Sequence, residues 1–300
     1  MPNFEDMLNE NAVRTSSRLE LVLGNEVHDG EIARPLRLMA AMRHGTLNGG
    51  KRLRPFLVFQ SAALFGVTRE AAMATALALE CVHCYSLVHD DLPAMDDDDL
   101  RRGQPTVHKA YDEATAILAG DSLLTLAFDL IARPNPAINP AVQGELVLEL
   151  ARAAGPGGMA GGQMLDLDAE TATPNEAGIV LLQSMKTGAL LRFACEAGAI
   201  LGFASSADRA RLRKFGEKIG QAFQLADDIL DVTATAEQMG KKTAKDADAG
   251  KGTLVSHWGL GKAKAKAAEL AGEAEALLEP FGENAEVLRE CARYIVERGR

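Results

Sequence analysis

Aromatic residues are scarce: Phe, Tyr and Trp together make up 5% of the 300 residues. Alanine and leucine dominate instead, a composition that favours helices and leaves little material for β-sheet. No convincing apolar–polar alternation is present, so strands are not expected. Cysteine is sparse too, limited to Cys81, Cys84, Cys195 and Cys291. The one tight pair, Cys81-Val-His-Cys84, lacks the second pair of a structural zinc site, and Tyr85 follows it where haem attachment needs histidine. Buried, reduced thiols in a cytoplasmic compartment are the expectation. Positive charge is in deficit, 32 Lys and Arg against 42 Asp and Glu, for a net charge of −10. That balance argues against nucleic acid or an anionic membrane as partner. The opening residues, Met1 to Glu10, are acidic and mixed, unlike a secretory leader. The most apolar stretch, Thr187 to Ser206, holds Arg192 and Glu196 and is rich in Gly and Ala, so a closely packed internal helix is expected rather than membrane insertion. Fixed-period repeats and long linkers are absent as well, and residues 1–300 read as a single all-α domain.

Three- and four-residue apolar spacing is present nearly throughout. It predicts helices near 4–23, 31–43, 52–65, 69–92, 108–131, 141–154, 175–203, 208–234, 261–279 and 284–297. Thr68 and Asp208 are expected as N-caps, and Gly24, Gly66 and Gly282 as stops or turns. Gly45–Arg54 reads as a Gly-rich basic loop and Gly155–Gly162 as a Gly-rich loop.

Charge is concentrated in three places. In Asp90-Asp-Leu-Pro-Ala-Met-Asp96-Asp-Asp-Asp99, six carboxylates fall within ten residues. Asp90 and Asp91 end a helix, because Pro93 disfavours its continuation. The partial negative charge of a helix C-terminus makes that placement unfavourable without a cation. A hard ion such as Mg²⁺, which takes a few carboxylates, waters and phosphate oxygens, suits the cluster; a solvated acidic loop would explain it in isolation. Second, Gln224, Asp227, Asp228 and Asp231 stand at i, i+3, i+4 and i+7, one polar stripe on a helix with Phe223, Leu225, Ile229 and Leu230 beside it. Such a stripe is costly to bury unless a cation neutralises it. Third, Lys51, Arg52 and Arg54 follow Gly49-Gly50, and Arg101-Arg102 follow the first acidic cluster. These are phosphate-binding residue types, although surface pairing with Asp97–Asp99 would account for Arg101-Arg102 alone.

Taken in order, Gly49-Gly-Lys-Arg-Leu-Arg-Pro55, Leu87-Val-His-Asp-Asp-Leu-Pro-Ala-Met-Asp96, Leu100-Arg-Arg-Gly103, Gly162-Gln-Met-Leu-Asp166, Lys186-Thr-Gly188 and Gly220-Gln-Ala-Phe-Gln-Leu-Ala-Asp-Asp-Ile-Leu-Asp231 resemble the trans-isoprenyl diphosphate synthases, bacterial farnesyl diphosphate synthases most of all. The resemblance covers residues 20 to 300. It implies an all-α helical bundle of the isoprenoid-synthase type around a deep central cavity, with both aspartate motifs at its mouth, and a homodimer. The implied reaction is Mg²⁺-dependent head-to-tail condensation of isopentenyl diphosphate with dimethylallyl or geranyl diphosphate, giving farnesyl diphosphate.

By the same resemblance Asp90, Asp91, Asp96, Asp227, Asp228 and Asp231 would carry metal. Arg101, Lys186, Thr187, Gln224, Lys241 and Lys251 would hold the allylic diphosphate. Gly50, Lys51, Arg54, His83 and Arg102 would hold isopentenyl diphosphate. Tyr85, with Ser86 beside it, would form a floor that limits chain length. After Lys251 the chain departs from the family's usual Ser-Thr and Tyr-Pro, reading Gly252-Thr-Leu-Val255, and Ala244 stands where Gly is common.

Other readings are weaker. Gly45-Thr-Leu-Asn-Gly-Gly-Lys51 has P-loop spacing, but Arg52 replaces the needed Ser or Thr and no strand precedes it. An EF-hand counted from Asp96 would have Arg101 at its glycine. Geranyl or geranylgeranyl synthesis, or terpene cyclisation, would share fold and metals. A His-Asp metal phosphohydrolase would use His89-Asp90 but leave the Gln224–Asp231 stripe unexplained. A non-catalytic subunit would ordinarily have lost an aspartate motif.

Overall fold

The computed structural model describes residues 3–233 and 253–297. They are almost wholly helical. The helices are α1 (Phe4–Val22), α2 (Leu36–Leu47), α3 (Leu53–Ala63), α4 (Arg69–Asp90), α5 (Val107–Ala110), α6 (Glu113–Ala132), α7 (Pro140–Ala154), α8 (Met159–Thr171), α9 (Glu176–Gln183), α10 (Ala189–Leu201), α11 (Ser206–Thr233), α12 (Leu254–Trp258), α13 (Leu260–Leu277) and α14 (Glu286–Glu297). A π-helical turn, Ser184–Gly188, joins α9 to α10. A two-strand hairpin pairs β1 (Leu100–Arg101) with β2 (Gln104–Pro105). The chain divides into two compact units, Met1–Phe56 with Ala74–Arg133, and Leu57–Met73 with Pro134–Arg300.

In the first unit α1, α2, α4 and α6 bury Leu8, Leu19, Met42, Phe56, Leu79 and Leu123. The Phe4 ring stands edge-on to Phe56, with centroids 5.5 Å apart. In the second unit Leu146, Leu190, Phe215 and Ile219 lie at the centre. Here α10 is buried along all but one of its residues, Arg192, as expected of the apolar stretch. The buried Glu196 within it is neutralised from α11: Arg209 Nε and Arg213 Nε each donate to its carboxylate at 2.9 Å. All four cysteines are buried free thiols. By length and composition α4 and α6 could cross a membrane, but 72% of the relevant window of α4 is packed inside the protein.

Several boundaries differ from the sequence expectation for physical reasons. The second helix starts at Leu36, not near residue 31, because Pro35 occupies the N-cap and cannot continue a helix backward. It runs on to Leu47, since Gly45 leaves room for the Val88 and Val107 methyl groups rather than opening a loop. Asp112 caps α6 through Thr115 N at 2.7 Å and separates it from α5. Thr68 is an N-cap as expected, accepting from Ala71 N at 3.2 Å. For α11 the cap is Ser205, which accepts from Asp208 N at 3.1 Å, so Asp208 lies inside the helix. The largest difference is α8, which occupies a stretch expected to open with a loop.

Candidate active site

In the first unit, the chain after α4 folds back over the helix end. Leu92 N donates to His89 O at 3.1 Å, Asp96 N to Asp90 O at 2.8 Å, and Asp98 N to Asp91 O at 3.2 Å. The carbonyls left over at a helix C-terminus are thereby satisfied, and Asp96 returns to Asp90 at the backbone. Both are half-buried, whereas Asp91 is buried. The β1–β2 hairpin turns through Arg102 and Gly103, both at positive φ, the geometry of a tight hairpin turn. It delivers Arg101 onto Asp91: Nε donates to the two carboxylate oxygens at 2.8 and 3.0 Å. Burial pushes the Asp91 carboxyl above its ordinary range, and the Arg101 hydrogen bonds and charge oppose that.

The same hairpin sets Arg102 on the basic turn, where Nη1 donates to Asn48 Oδ1 at 3.2 Å and to Gly49 O. Gly49 and Gly50 have φ of 95° and 109°. The positive φ of Gly50 requires glycine, and a Cβ there would also lie 2.7 Å from the Arg102 guanidinium carbon, which would have to shift. In this turn Lys51 is exposed and Arg54 half-buried. Arg52, grouped in sequence with the phosphate-binding cations, points inward instead and is 3% exposed. The pKa of His83 on α4 is held well below the ordinary histidine value, first by burial and then by Arg54, Arg102, Arg52 and Arg101. So much positive potential around a neutral imidazole suits an anion. A cleft of about 760 Å³ in this unit is lined by Arg43, His44, Asn48, Arg102 and Tyr111; none of the aspartates lines it.

In the second unit the π turn does the positioning. Gly162 of α8 packs against it so closely that a Cβ would come 2.6 Å from Lys186 Cα. One turn further along α8, Asp166 Oδ2 accepts from Lys186 Nζ at 2.7 Å. Thr187 Oγ1 donates to Gln224 Oε1 at 2.9 Å, and Gln224 Nε2 donates to Asp228 Oδ1 at 3.1 Å. Gln183 Nε2 takes the other Asp228 oxygen at 3.0 Å. Asp228 is 4% exposed, while Asp227 and Asp231 are half-buried. Thr187 of the Lys-Thr pair is thus joined through Gln224 to the second aspartate motif, while Lys186 rests on Asp166. Gln183 was not visible as a site residue, since a lone Gln three residues before Lys186 carries no signal. Glu80, which holds Arg52, did have one: a carboxylate in the otherwise apolar run of α4 requires a cation. Lys241 and Lys251 lie outside the described residues.

The polyprenyl synthetase family model matches residues 36–295. The chain belongs to the polyprenyl synthetase family. This prenyltransferase is 44% identical over 272 residues to the farnesyl diphosphate synthase of Escherichia coli K12, covering 88% of this chain and 90% of that one. It is 41% identical over 299 residues to a chloroplastic geranylgeranyl pyrophosphate synthase of Capsicum annuum, covering 99% and 79% of the two chains. Among solved structures, an apo FPP/GFPP synthase from Zymomonas mobilis superposes with a TM-score of 0.85 at 44% identity, over 98% and 99% of the two chains. A geranyltransferase from Legionella pneumophila gives 0.86 at 32% identity, over 99% and 98%. The fold of this polyprenyl synthetase is accordingly the all-α isoprenoid-synthase bundle. A His-Asp phosphohydrolase has no support: His89 Nε2 faces Ile117 O of α6 at 3.1 Å. Among the described residues no three His, Cys, Asp or Glu side chains converge as a preformed metal cage.

Proposed function

We propose that this polyprenyl synthetase condenses isopentenyl diphosphate with dimethylallyl or geranyl diphosphate and stops at the fifteen-carbon farnesyl diphosphate. Residues 1–300 act as one catalytic domain of a cytoplasmic homodimer. The observation that carries it is the hydrogen-bonded group Thr187–Gln224–Asp228, which ties the Lys-Thr pair to the second aspartate motif.

The donor set fits Mg²⁺ in chemistry. Asp90 and Asp96 are half-buried carboxylates brought together by the folded-back loop, and Asp227 offers a third in the other motif. With only carboxylates in each set and no preformed cage, waters and substrate phosphate oxygens would complete the coordination, as this ion prefers. When bound, the ion supplies charge stabilisation for the departing diphosphate.

The chain's own side chains supply the rest. Arg101 and Lys186 now rest on Asp91 and Asp166, and each would turn to the allylic diphosphate when an ion or a phosphate offers better neutralisation. Lys241 and Lys251 complete that set in this reading. Thr187 spends its proton on Gln224, which leaves its oxygen lone pairs directed away from the amide and available to positive charge developing on the allylic carbon. Such preorganised dipoles cost no reorganisation during the reaction. Gly50, Lys51, Arg54, His83 and Arg102 hold the second diphosphate, with His83 entering as neutral imidazole. Arg102, already fixed on Gly49 O, shapes the turn as well as adding charge.

The test is a product assay with purified protein, labelled isopentenyl diphosphate, geranyl or dimethylallyl diphosphate, and Mg²⁺ or EDTA. Farnesol after dephosphorylation, lost in EDTA, is expected. Geraniol or geranylgeraniol would keep the reaction class and overturn the product assignment. No elongation by folded protein would overturn the reading.

A further inference from the structure

Of the three cations of the basic turn, Arg52 is the buried one. Its φ of 50° is a backbone conformation that non-glycine residues seldom adopt, and its side chain is buried while Lys51 is exposed and Arg54 half-buried. The guanidinium donates to Glu80 Oε1 of α4 at 2.7 Å, to Thr46 O of α2 at 2.5 Å and to Ser16 Oγ of α1 at 3.2 Å. Its carbonyl accepts from Asn11 Nδ2 of α1 at 3.3 Å and from Phe56 N, in the first turn of α3, at 3.1 Å. Arg52 and Glu80 are 3% and 2% exposed. A single residue thus pins the turn to three helices and also starts a fourth.

The net stability gained from such a buried pair over a well-packed apolar pair is small or negative, and its best-attested use is to fix geometry. The geometry at stake here is local. The residue before Arg52 is exposed Lys51; two residues after it comes Arg54. Glu80 lies one helical turn before His83, on the same stretch of α4. From the other side Arg102 closes on Gly49 O, so the turn is held at both ends. Lysine could not replace Arg52 fully, because a single ammonium cannot serve three acceptors in the planar arrangement seen.

We propose that Arg52, through its buried pair with Glu80, is a positioning residue for isopentenyl diphosphate: it fixes the directions in which Lys51 and Arg54 present their charges. The proposal rests on the assignment of Lys51 and Arg54 to that substrate.

The experiment is steady-state kinetics, with geranyl diphosphate as allylic partner so that one condensation is read, alongside thermal melting. The variants are Glu80→Gln, Arg52→Lys and the apolar double variant Arg52→Met/Glu80→Met, with Lys51→Ala and Arg54→Ala as benchmarks. The expected result is a KM for isopentenyl diphosphate raised about tenfold or more in Glu80→Gln and the double variant, and less in Arg52→Lys. The KM for geranyl diphosphate and kcat stay within about threefold, the pattern of lost ground-state binding at one site. A melting temperature that falls while every kinetic constant stays at the wild-type value overturns the proposal, as does an equal rise in both KM values. If the double variant does not fold, the two conservative variants decide. Unchanged isopentenyl diphosphate KM in Lys51→Ala and Arg54→Ala would show instead that the substrate assignment of the turn is wrong, a failure distinct from that of the lock.

Discussion

Gln183 Nε2 donates to Asp228 Oδ2 at 3.0 Å, while Gln224 Nε2 occupies Oδ1 at 3.1 Å. Both oxygens of this buried carboxylate are therefore engaged by amides, one of them from Gln224, whose Oε1 in turn accepts from Thr187 Oγ1 at 2.9 Å. Replacing Gln183 by Leu removes a hydrogen bond to a charged group, a loss of about 1.5–3 kcal/mol. Melting should fall by several degrees. Turnover should fall about tenfold with KM values little changed, since the proposed function has Gln224 and Thr187 acting on charge that develops during reaction. Calorimetry and initial-rate kinetics read the two effects; wild-type kcat in a destabilised variant would show that the contact is structural only.

Glu196 provides a test of stability without function. Its carboxylate is 5% exposed and is served by Arg209 and Arg213, the first of which also reaches Glu145. Losing one arginine leaves the other in place, so Arg209→Met and Arg213→Met should each cost about 1 kcal/mol. Losing both leaves a buried charge without its cations, and the double variant should cost about 3–5 kcal/mol. The excess of the double variant's loss over the sum of the two single losses, measured by urea denaturation, is the signature of one shared network.

Stability should fall on both sides of neutrality, for two named reasons. The folded His83 pKa lies well below its ordinary value, whereas an unfolded histidine takes its proton near about 6.5. Its contribution is therefore full above that pH and is lost as pH falls toward the folded value, at up to about 1.4 kcal/mol per pH unit. On the alkaline side burial pushes the Cys84 thiol up to about 11 and raises Cys81 as well. Unfolded thiols ionise near about 8.5, so that contribution is lost as pH rises from there toward 11. Melting curves from pH 5 to 10 should show a dome. His83→Asn should flatten the acid limb and Cys84→Ser should make the alkaline limb shallower, Cys81 supplying part of what remains, each leaving the other limb intact.

What could be read from sequence was local in origin. The helices follow from apolar spacing, and the aspartate and Lys-Thr motifs from short runs of residues, so each was legible without knowledge of packing. The missing pieces depend on contacts made far along the chain. Gly161 and Gly162 read as loop because glycine is a poor helix former, yet α8 uses them to approach Pro156 O and the π turn. Arg52 and Lys51 are adjacent cations beside a glycine pair, and neither's direction can be read from sequence; the turn's backbone and Glu80 send Arg52 inward. Gln183 gains its meaning from Asp228, 45 residues later. Ser205 and Asp208 are equally good caps by type, and the start of α11 selects between them.

Tyr85 is the residue on which product length turns in the proposed function. It lies five residues before Asp90 on α4 and is half-buried. Its ring stands edge-on to His89, centroids 5.8 Å apart at 80°, and His89 is fixed by Ile117 O. Burial, then the charge of Asp90, raises the phenol pKa, so the ring remains a neutral, supported wall. Ser86 offers no bulk, since its hydroxyl is tied back to His83 O at 2.9 Å. Replacing Tyr85 by Ala removes the wall without disturbing the diphosphate ligands, and the growing chain should add at least one more five-carbon unit. Dephosphorylated products sized by chromatography should shift from farnesol toward geranylgeraniol and longer alcohols, with the rate of the first condensation unchanged within about threefold. Placing Phe at Ser86 should act oppositely and shift products toward geraniol. An unchanged product distribution in folded Tyr85→Ala protein would remove Tyr85 from the floor and assign the ring to ordinary packing between α4 and His89.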